Sequence, residues 1–279
     1  QQQPEPVAWV SKFHQWRPNI VADFHEMRSY KSFYFHPGAP DRVHPLIDKK
    51  AMTLLSEVVQ GPRDFMDSEA RLYFNEESYD NFYLGKGATY PLMYGSLGIL
   101  FEQASSGGLL ETPRGVLSFR DNIRTFYRVG LALLNNAVEK RQSLLAYQRG
   151  FAKNSSKHAD KDDIKGYVFA APEDPARLFH FLQLLERNQI KVKPLTKDLT
   201  IKDMAFKAQQ AYVVETDQAS YAMVKGLFEK ITKFENNTFY DVSGWTMPLA
   251  FGIEFTSLTR SNYKVGEAIS PVFPTFSAP

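Results

Sequence analysis

Four of the six histidines, His14, His25, His36 and His44, fall within the first 44 residues. Neutral imidazole is the commonest metal ligand, so their spacing is the first thing to test. The residues three after each histidine in the chain are Arg17, Arg28, Ala39, Ile47, Lys161 and Gln183, so no H-x-x-E occurs. His25 and Glu26 lead on to Arg28 and Ser29, which rules out H-E-x-x-H as well. His25 stands apart by position: it follows Asp23 at the end of the apolar run Ile20, Val21, Ala22. Glu102 has a similar setting, because Leu97 to Phe101 is apolar and Ala104, Ser105, Ser106, Gly107 and Gly108 follow. A carboxylate so placed is partly desolvated, and its pKa can rise toward the range a general base needs. The same spacing also suits a carboxylate bonded to loop amides, and His25 suits an ordinary hydrogen-bonded histidine. Tyr83, in Phe82 Tyr83 Leu84 Gly85 Lys86 Gly87, lies on a glycine-flanked loop that could swing; packing at an edge is the alternative.

The elements that must position these residues can be read from periodicity. Residues 18–24 and 97–101 read as short buried strands, and 33–46, with Pro37, Gly38, Pro40 and Pro45, as a loop. A helix is expected over 48–60, stopped by Gly61 and Pro62. Ser118 with Asp121 three residues on marks a second helix start. From there Phe119, Ile123, Phe126, Leu134, Val138 and Leu145 keep helical spacing to Gly150. Residues 151–163 are dominated by charged and small polar side chains and read as a solvated linker. This divides the chain into domains at 1–150 and 164–279. Beyond the linker, 166–171 and 190–195 read as strands around a helix begun by Asp174 and Pro175, a βαβ unit. Residues 211–214 and the spacing of Tyr221, Val224, Phe228 and Ile231 repeat the strand-to-helix pattern. The fold class is therefore α/β.

Composition narrows the function. Lys plus Arg number 33 against 31 Asp plus Glu, a formal charge of +2 without a basic run, which argues against nucleic acid as partner. The apolar share of 43% and charged share of 23% are those of a globular chain. Cysteine is absent, which excludes disulfides, thiolate metal sites and a Cys nucleophile. No stretch approaches the ~18 apolar residues of a membrane span, and none is expected. The opening Gln1 Gln2 Gln3 Pro4 carries neither an initiator Met nor a signal peptide, so the chain is expected to begin partway through a longer product.

Three segments in order resemble the M14 zinc carboxypeptidases, in particular large bacterial members. Residues 18–27, Pro18 Asn19 Ile20 Val21 Ala22 Asp23 Phe24 His25 Glu26 Met27, resemble the segment carrying that family's second zinc histidine. Residues 82–91 are similar to its mobile substrate-tyrosine loop, and 98–106 to the strand carrying its catalytic glutamate. The resemblance covers about residues 7–150 and implies a mixed sheet with helices on both faces. It implies His25 as a ligand of one zinc ion, Glu102 as the base that activates zinc-bound water and then protonates the leaving amine, and Tyr83 as a residue that closes over a peptide substrate. Leu100, two before Glu102 on the same strand face, would then face the side-chain pocket. Glu26 is expected to orient His25.

The family's H-x-x-E and substrate-binding arginines precede the second histidine, and only 24 residues precede His25 here. The resemblance therefore implies the C-terminal part of a carboxypeptidase domain, with the remaining zinc ligands upstream, no activity alone, and open sheet edges that invite dimerisation. Residues 166–195 and 211–245, with Phe239 to Trp245 most distinctive, resemble the class I glutamine amidotransferase-like domain, a smaller flavodoxin-like α/β fold, without its nucleophilic Cys. A periplasmic or secreted location goes with the resemblance. The competing readings are a zinc amidase or deacylase on peptide-like substrates, and a non-catalytic protein that keeps a peptidase-like surface.

Overall fold

The computed structural model describes residues 3–231 and 246–275. Within them the chain is mixed α/β and separates into two compact units, one of residues 18–151 and one of residues 3–17, 152–231 and 246–275. The distinctive segment 239–245 lies outside the described residues.

The chain opens with α1 (Pro4–Trp16), which belongs to the second of these units. The unit of residues 18–151 is built on three strands: β1 (Ile20–Met27), β2 (Phe33–Phe35) and, later, β3 (Leu97–Ala104). β1 runs parallel to β3 and β2 antiparallel to it, giving the order β1-β3-β2. β2 falls where a loop was expected, because Phe33, Tyr34 and Phe35 are all buried against β3 before the prolines begin. Between β2 and β3 lie α2 (Lys49–Val58) and α3 (Gln60–Ser68). Asp48 caps α2 by accepting from Lys50 N at 2.9 Å. Gly61 and Pro62 do not end the helical stretch as expected. They occupy the first turn of α3, where a missing N–H costs nothing. A Cβ at Gly61 would lie 2.6 Å from Ala132 O, so glycine is what lets α3 approach the next helix.

After β3 a hairpin, β4 (Leu109–Thr112) and β5 (Gly115–Ser118), leads into α4 (Phe119–Glu139). Ser118 Oγ accepts from Asp121 N at 3.1 Å, the cap its spacing predicted. The core joins α4 to one sheet face through Phe24, Phe33, Phe101 and Phe126. Phe24 stacks on Phe101 with centroids 4.8 Å apart, and Phe126 meets Phe24 and Phe33 edge-on at 5.2 and 5.8 Å. The single helix expected to run to Gly150 breaks at Lys140, and the apolar residues that set its spacing are not the ones α4 buries: Phe119, Ile123, Leu134 and Val138 are exposed, while Asn122, Thr125, Val129, Leu133 and Asn136 are buried. α5 (Arg141–Lys161) follows, so residues 151–161 are helical where a linker was expected. No proline interrupts them, alanine and lysine favour helix, and Ser155 and Ala159 are buried while the charges stay in solvent.

The other unit holds β6 (Gly166–Ala170), α6 (Pro175–Arg187), β7 (Lys193–Pro194), the hairpin β8 (Leu199–Ile201) and β9 (Met204–Phe206), β10 (Ala211–Glu215), α7 (Tyr221–Phe228), the short α8 (Met247–Ala250) and β11 (Glu254–Leu258). Its sheet order is β11-β6-β10-β7, with β10 antiparallel to both neighbours and β11 antiparallel to β6. This departs from the parallel sheet of a flavodoxin-like domain. The return from β7 is the β8–β9 hairpin rather than a crossover helix, so β10 comes back antiparallel between β7 and β6. Val168, Leu195, Phe206, Val213 and Leu258 form the core beside it.

Candidate functional site

Side chains alternate along strands, so the face of β3 opposite Phe101 carries Gly98, Leu100 and Glu102, and that face of β1 carries Asp23 and His25. The parallel register sets His25 opposite Glu102 and Asp23 opposite Leu100. Tyr34 of β2 stands opposite Glu102 on its other side. Both strands run past these residues, so His25 and Glu102 sit inside the ladder, not at strand ends. Three of the four residues singled out from the sequence, His25, Leu100 and Glu102, thus share one face.

The orienting partner of His25 is Asp23 and not Glu26. His25 Nε2 lies 2.8 Å from Asp23 Oδ1, whereas Glu26 points to the other face and accepts from Ser105 Oγ at 3.1 Å. The signal was available in sequence: on a strand the residue two before shares a face and the adjacent one does not. With Nε2 held by a carboxylate, Nδ1 is the nitrogen left for a ligand, the arrangement that fixes imidazole at metal sites. The His25 side chain is 53% exposed, which leaves room for one.

Glu102 is buried and its Oε2 has no hydrogen-bond partner. Burial pushes its pKa up, His25 pulls it down, and Asp23 pushes it up again; the net direction is up. Tyr34 Oη is also buried without a partner, and its pKa is driven up by burial and then by Tyr79, Asp80 and Glu102. The Tyr34 and Tyr79 rings lie 4.2 Å apart, and burial followed by Glu102 raises the Tyr79 pKa too. Tyr34 and Tyr79 were not found from sequence, because nothing local ties either of them to Glu102.

The loop over this face is pinned from below. Asp80, 2% exposed, accepts from Lys86 Nζ at 2.5 Å and from Phe82 N at 2.9 Å. Asn81 Oδ1 accepts from Gly38 N, and Asn81 Nδ2 lies 3.2 Å from His36 Nδ1. Burial holds the His36 pKa down at about 4, so this histidine is a neutral strut. Tyr83 is half-buried, and a Cβ at Gly85 would sit 2.7 Å from its Cε1. The next glycine, Gly87, touches the Asp23 carboxylate, and a Cβ there would collide with it. Tyr83 therefore belongs to the loop that borders Asp23.

The arrangement can accept a proton at Glu102 and hold one imidazole ligand at His25. Among the described residues no group of three or more His, Asp or Glu is placed to hold a metal ion, so they do not complete the ligand set a catalytic zinc needs. Among the described residues no helix is long and apolar enough to cross a membrane. No protein-family model matches this chain, and no curated protein or solved structure matches it either.

Proposed function

We propose that the face holding Asp23, His25, Leu100 and Glu102 is part of the hydrolytic centre of a zinc metallocarboxypeptidase of the M14 type. The observation that carries the reading is the pairing of His25 with Glu102 in register on adjacent parallel strands, one side chain with a free ring nitrogen and the other with an unpaired buried oxygen. A zinc ion at such a centre would lower the pKa of a bound water and polarise the scissile carbonyl. In this reading Glu102, with its raised pKa, takes the proton from the attacking water and passes it to the leaving amine. Asp23 keeps the His25 ring in one orientation, Leu100 borders the pocket for an apolar side chain, and Tyr83 closes over the peptide. The remaining zinc ligands and the group that binds the substrate carboxylate come from outside the described residues.

A second reading is a non-catalytic protein that binds peptides on this face without metal. The unit with the β11-β6-β10-β7 sheet then serves as a scaffold; in the amidotransferase-like reading it has no nucleophile, because cysteine is absent. A periplasmic or secreted location accompanies the peptidase reading.

Zinc stoichiometry and hydrolysis of C-terminal peptide bonds, measured on this chain and on any longer product of its gene, decide between the two. The enzyme reading expects both in the longer form, with Glu102→Gln abolishing turnover while metal binding persists and His25→Ala losing the metal. A longer form that carries H-x-x-E yet neither binds zinc nor hydrolyses peptides removes the enzyme reading.

A further inference from the structure

β1 lies at the border of its sheet, and among the described residues it pairs with β3 alone. Asn19 O accepts from Leu97 N, and Met27 O accepts from Ser105 N, so the odd-numbered residues direct their N–H and C=O toward β3. The alternation leaves the main-chain groups of Ile20, Ala22, Phe24 and Glu26 pointing out of the open edge.

The apolar flank of α4 lies on the same border. At 100° per residue, Phe119, Ile123, Tyr127, Leu131, Leu134 and Val138 fall on one flank, centred about 150° from the buried side. They are 51%, 55%, 66%, 40%, 62% and 63% exposed. Phe126 meets Phe24 at 5.2 Å, and a Cβ at Gly130 would lie 3.9 Å from Phe24 Cζ, which puts this flank on the β1 side. The opposite flank is taken by α3, where Gly61 abuts Ala132, and by the end of α2, where Glu57 O and Val58 O each accept from Asn136 Nδ2 at 2.8 Å.

We infer that a second copy of this chain docks here, β1 pairing antiparallel with β1 of the copy about Phe24, and the two α4 flanks packing on one face of the joined sheet. Three observations favour a second copy. The six α4 side chains and Phe24 expose on the order of 700 Å² per copy, close to the ~800 Å² per partner of a standard interface. The outward main-chain groups are those of even residues, so a two-fold axis at Phe24 satisfies both edges at once. Charge then favours this register over its neighbour centred on Asp23. Centred on Phe24, each Asp23 faces the copy's His25 and each Glu26 faces Ala22; shifted to centre on Asp23, the two Asp23 carboxylates face one another. α4 runs against β1, since Asn122 Nδ2 donates to Ala104 O at the far end of β3, so the two α4 helices also meet antiparallel. The inference does not depend on zinc or on hydrolysis.

Sedimentation velocity on the full chain tests it, with thermal melts to confirm that each variant folds. A dimer is expected at about 10–100 μM. Ala22→Glu sets a Glu against Glu26 of the copy twice per dimer and should weaken association about tenfold, whereas Ala22→Lys, at the same exposed position, should keep or tighten it. Leu134→Glu should also weaken it. A monomer throughout that range overturns the inference, as does a dimer whose affinity Ala22→Glu and Ala22→Lys change alike, or one indifferent to Leu134→Glu.

Discussion

Replacing Gly98 by alanine probes how the loop over the candidate site is held. Gly98 shares the strand face of Leu100 and Glu102, and the Ala88 backbone rests directly on it. A Cβ at Gly98 would overlap Ala88 O and lie 2.6 Å from Ala88 C and 2.9 Å from Ala88 Cα, all closer than real Cβ contacts allow. The obstruction is main chain at both partners, and β3 is the fully paired central strand, so the loop has to give way by on the order of 1 Å. Overpacking of this kind costs about 1–3 kcal/mol. The displaced segment includes the turn in which Thr89 and Tyr90 donate to Lys86 O, and the contact of Gly87 with Asp23. Gly98→Ala should lower the urea midpoint and speed hydrogen exchange at the Thr89 and Tyr90 amides. Gly107→Ala and Gly108→Ala serve as controls: nothing lies within 4 Å of a Cβ at either position, so each should stay within about 0.5 kcal/mol of the parent. A Gly98→Ala protein as stable as these controls, with unchanged exchange, would refute the close apposition of loop and strand.

In the other unit, Lys225 Nζ lies 2.9 Å from Asp162 Oδ2, with side chains 7% and 14% exposed, and Asp162 also accepts from Tyr221 Oη at 2.8 Å. Lys225→Met should cost about 3 kcal/mol at neutral pH by stranding that carboxylate. Burial raises the Asp162 pKa, but the Ile164 N–H, Lys225 and Tyr221 outweigh it and the net direction is down. A depressed folded pKa gives stability that is present above the unfolded value of about 3.9 and lost as pH falls through the folded one, so the gap between parent and variant should narrow below about pH 4 in urea titrations. Asn136→Ala should cost about 1–3 kcal/mol in a thermal melt, because Glu57 O and Val58 O at the end of α2 lose the donor they share. A change below about 0.5 kcal/mol would mean that water replaces that donor.

Local signals read well where the chain solves its problems locally. The helix starts at Ser118 and Asp174 were legible, because each side chain bonds an amide three residues on. β1 and β3 were legible as apolar runs, but their ends were not: polar His25 and Glu102 read as strand ends, and both strands run on past them. What surrounds those residues was not legible. Tyr34 reaches Glu102 across a strand pair, and Asp80 and Lys86 anchor the loop through a pair that only burial makes distinctive. The β8–β9 hairpin was missed because its turn uses Lys202 at φ 53° instead of glycine or asparagine, and with it the antiparallel return of β10.

α4 shows why helical spacing alone does not say which face is buried, even where it finds the helix and misses only the break at Lys140. The spacing of Phe119, Ile123, Leu134 and Val138 fixes the period, but a period says only that these residues share a side. Which side is buried depends on what the sheet and α3 require. Asn122 donates to Ala104 O at the end of β3, Thr125 Oγ1 to Asp121 O, and Asn136 to the last carbonyls of α2. Ala104 O, Glu57 O and Val58 O lie where main-chain partners run out, so polar side chains turn inward to meet them. The apolar flank is thereby rotated toward the border where β1 also leaves its main chain unpaired. A surface hydrophobe that stands singly asks for no explanation, but six on one flank beside an open strand edge do. The Ala22→Glu and Ala22→Lys pair addresses that border by charge, at an exposed residue.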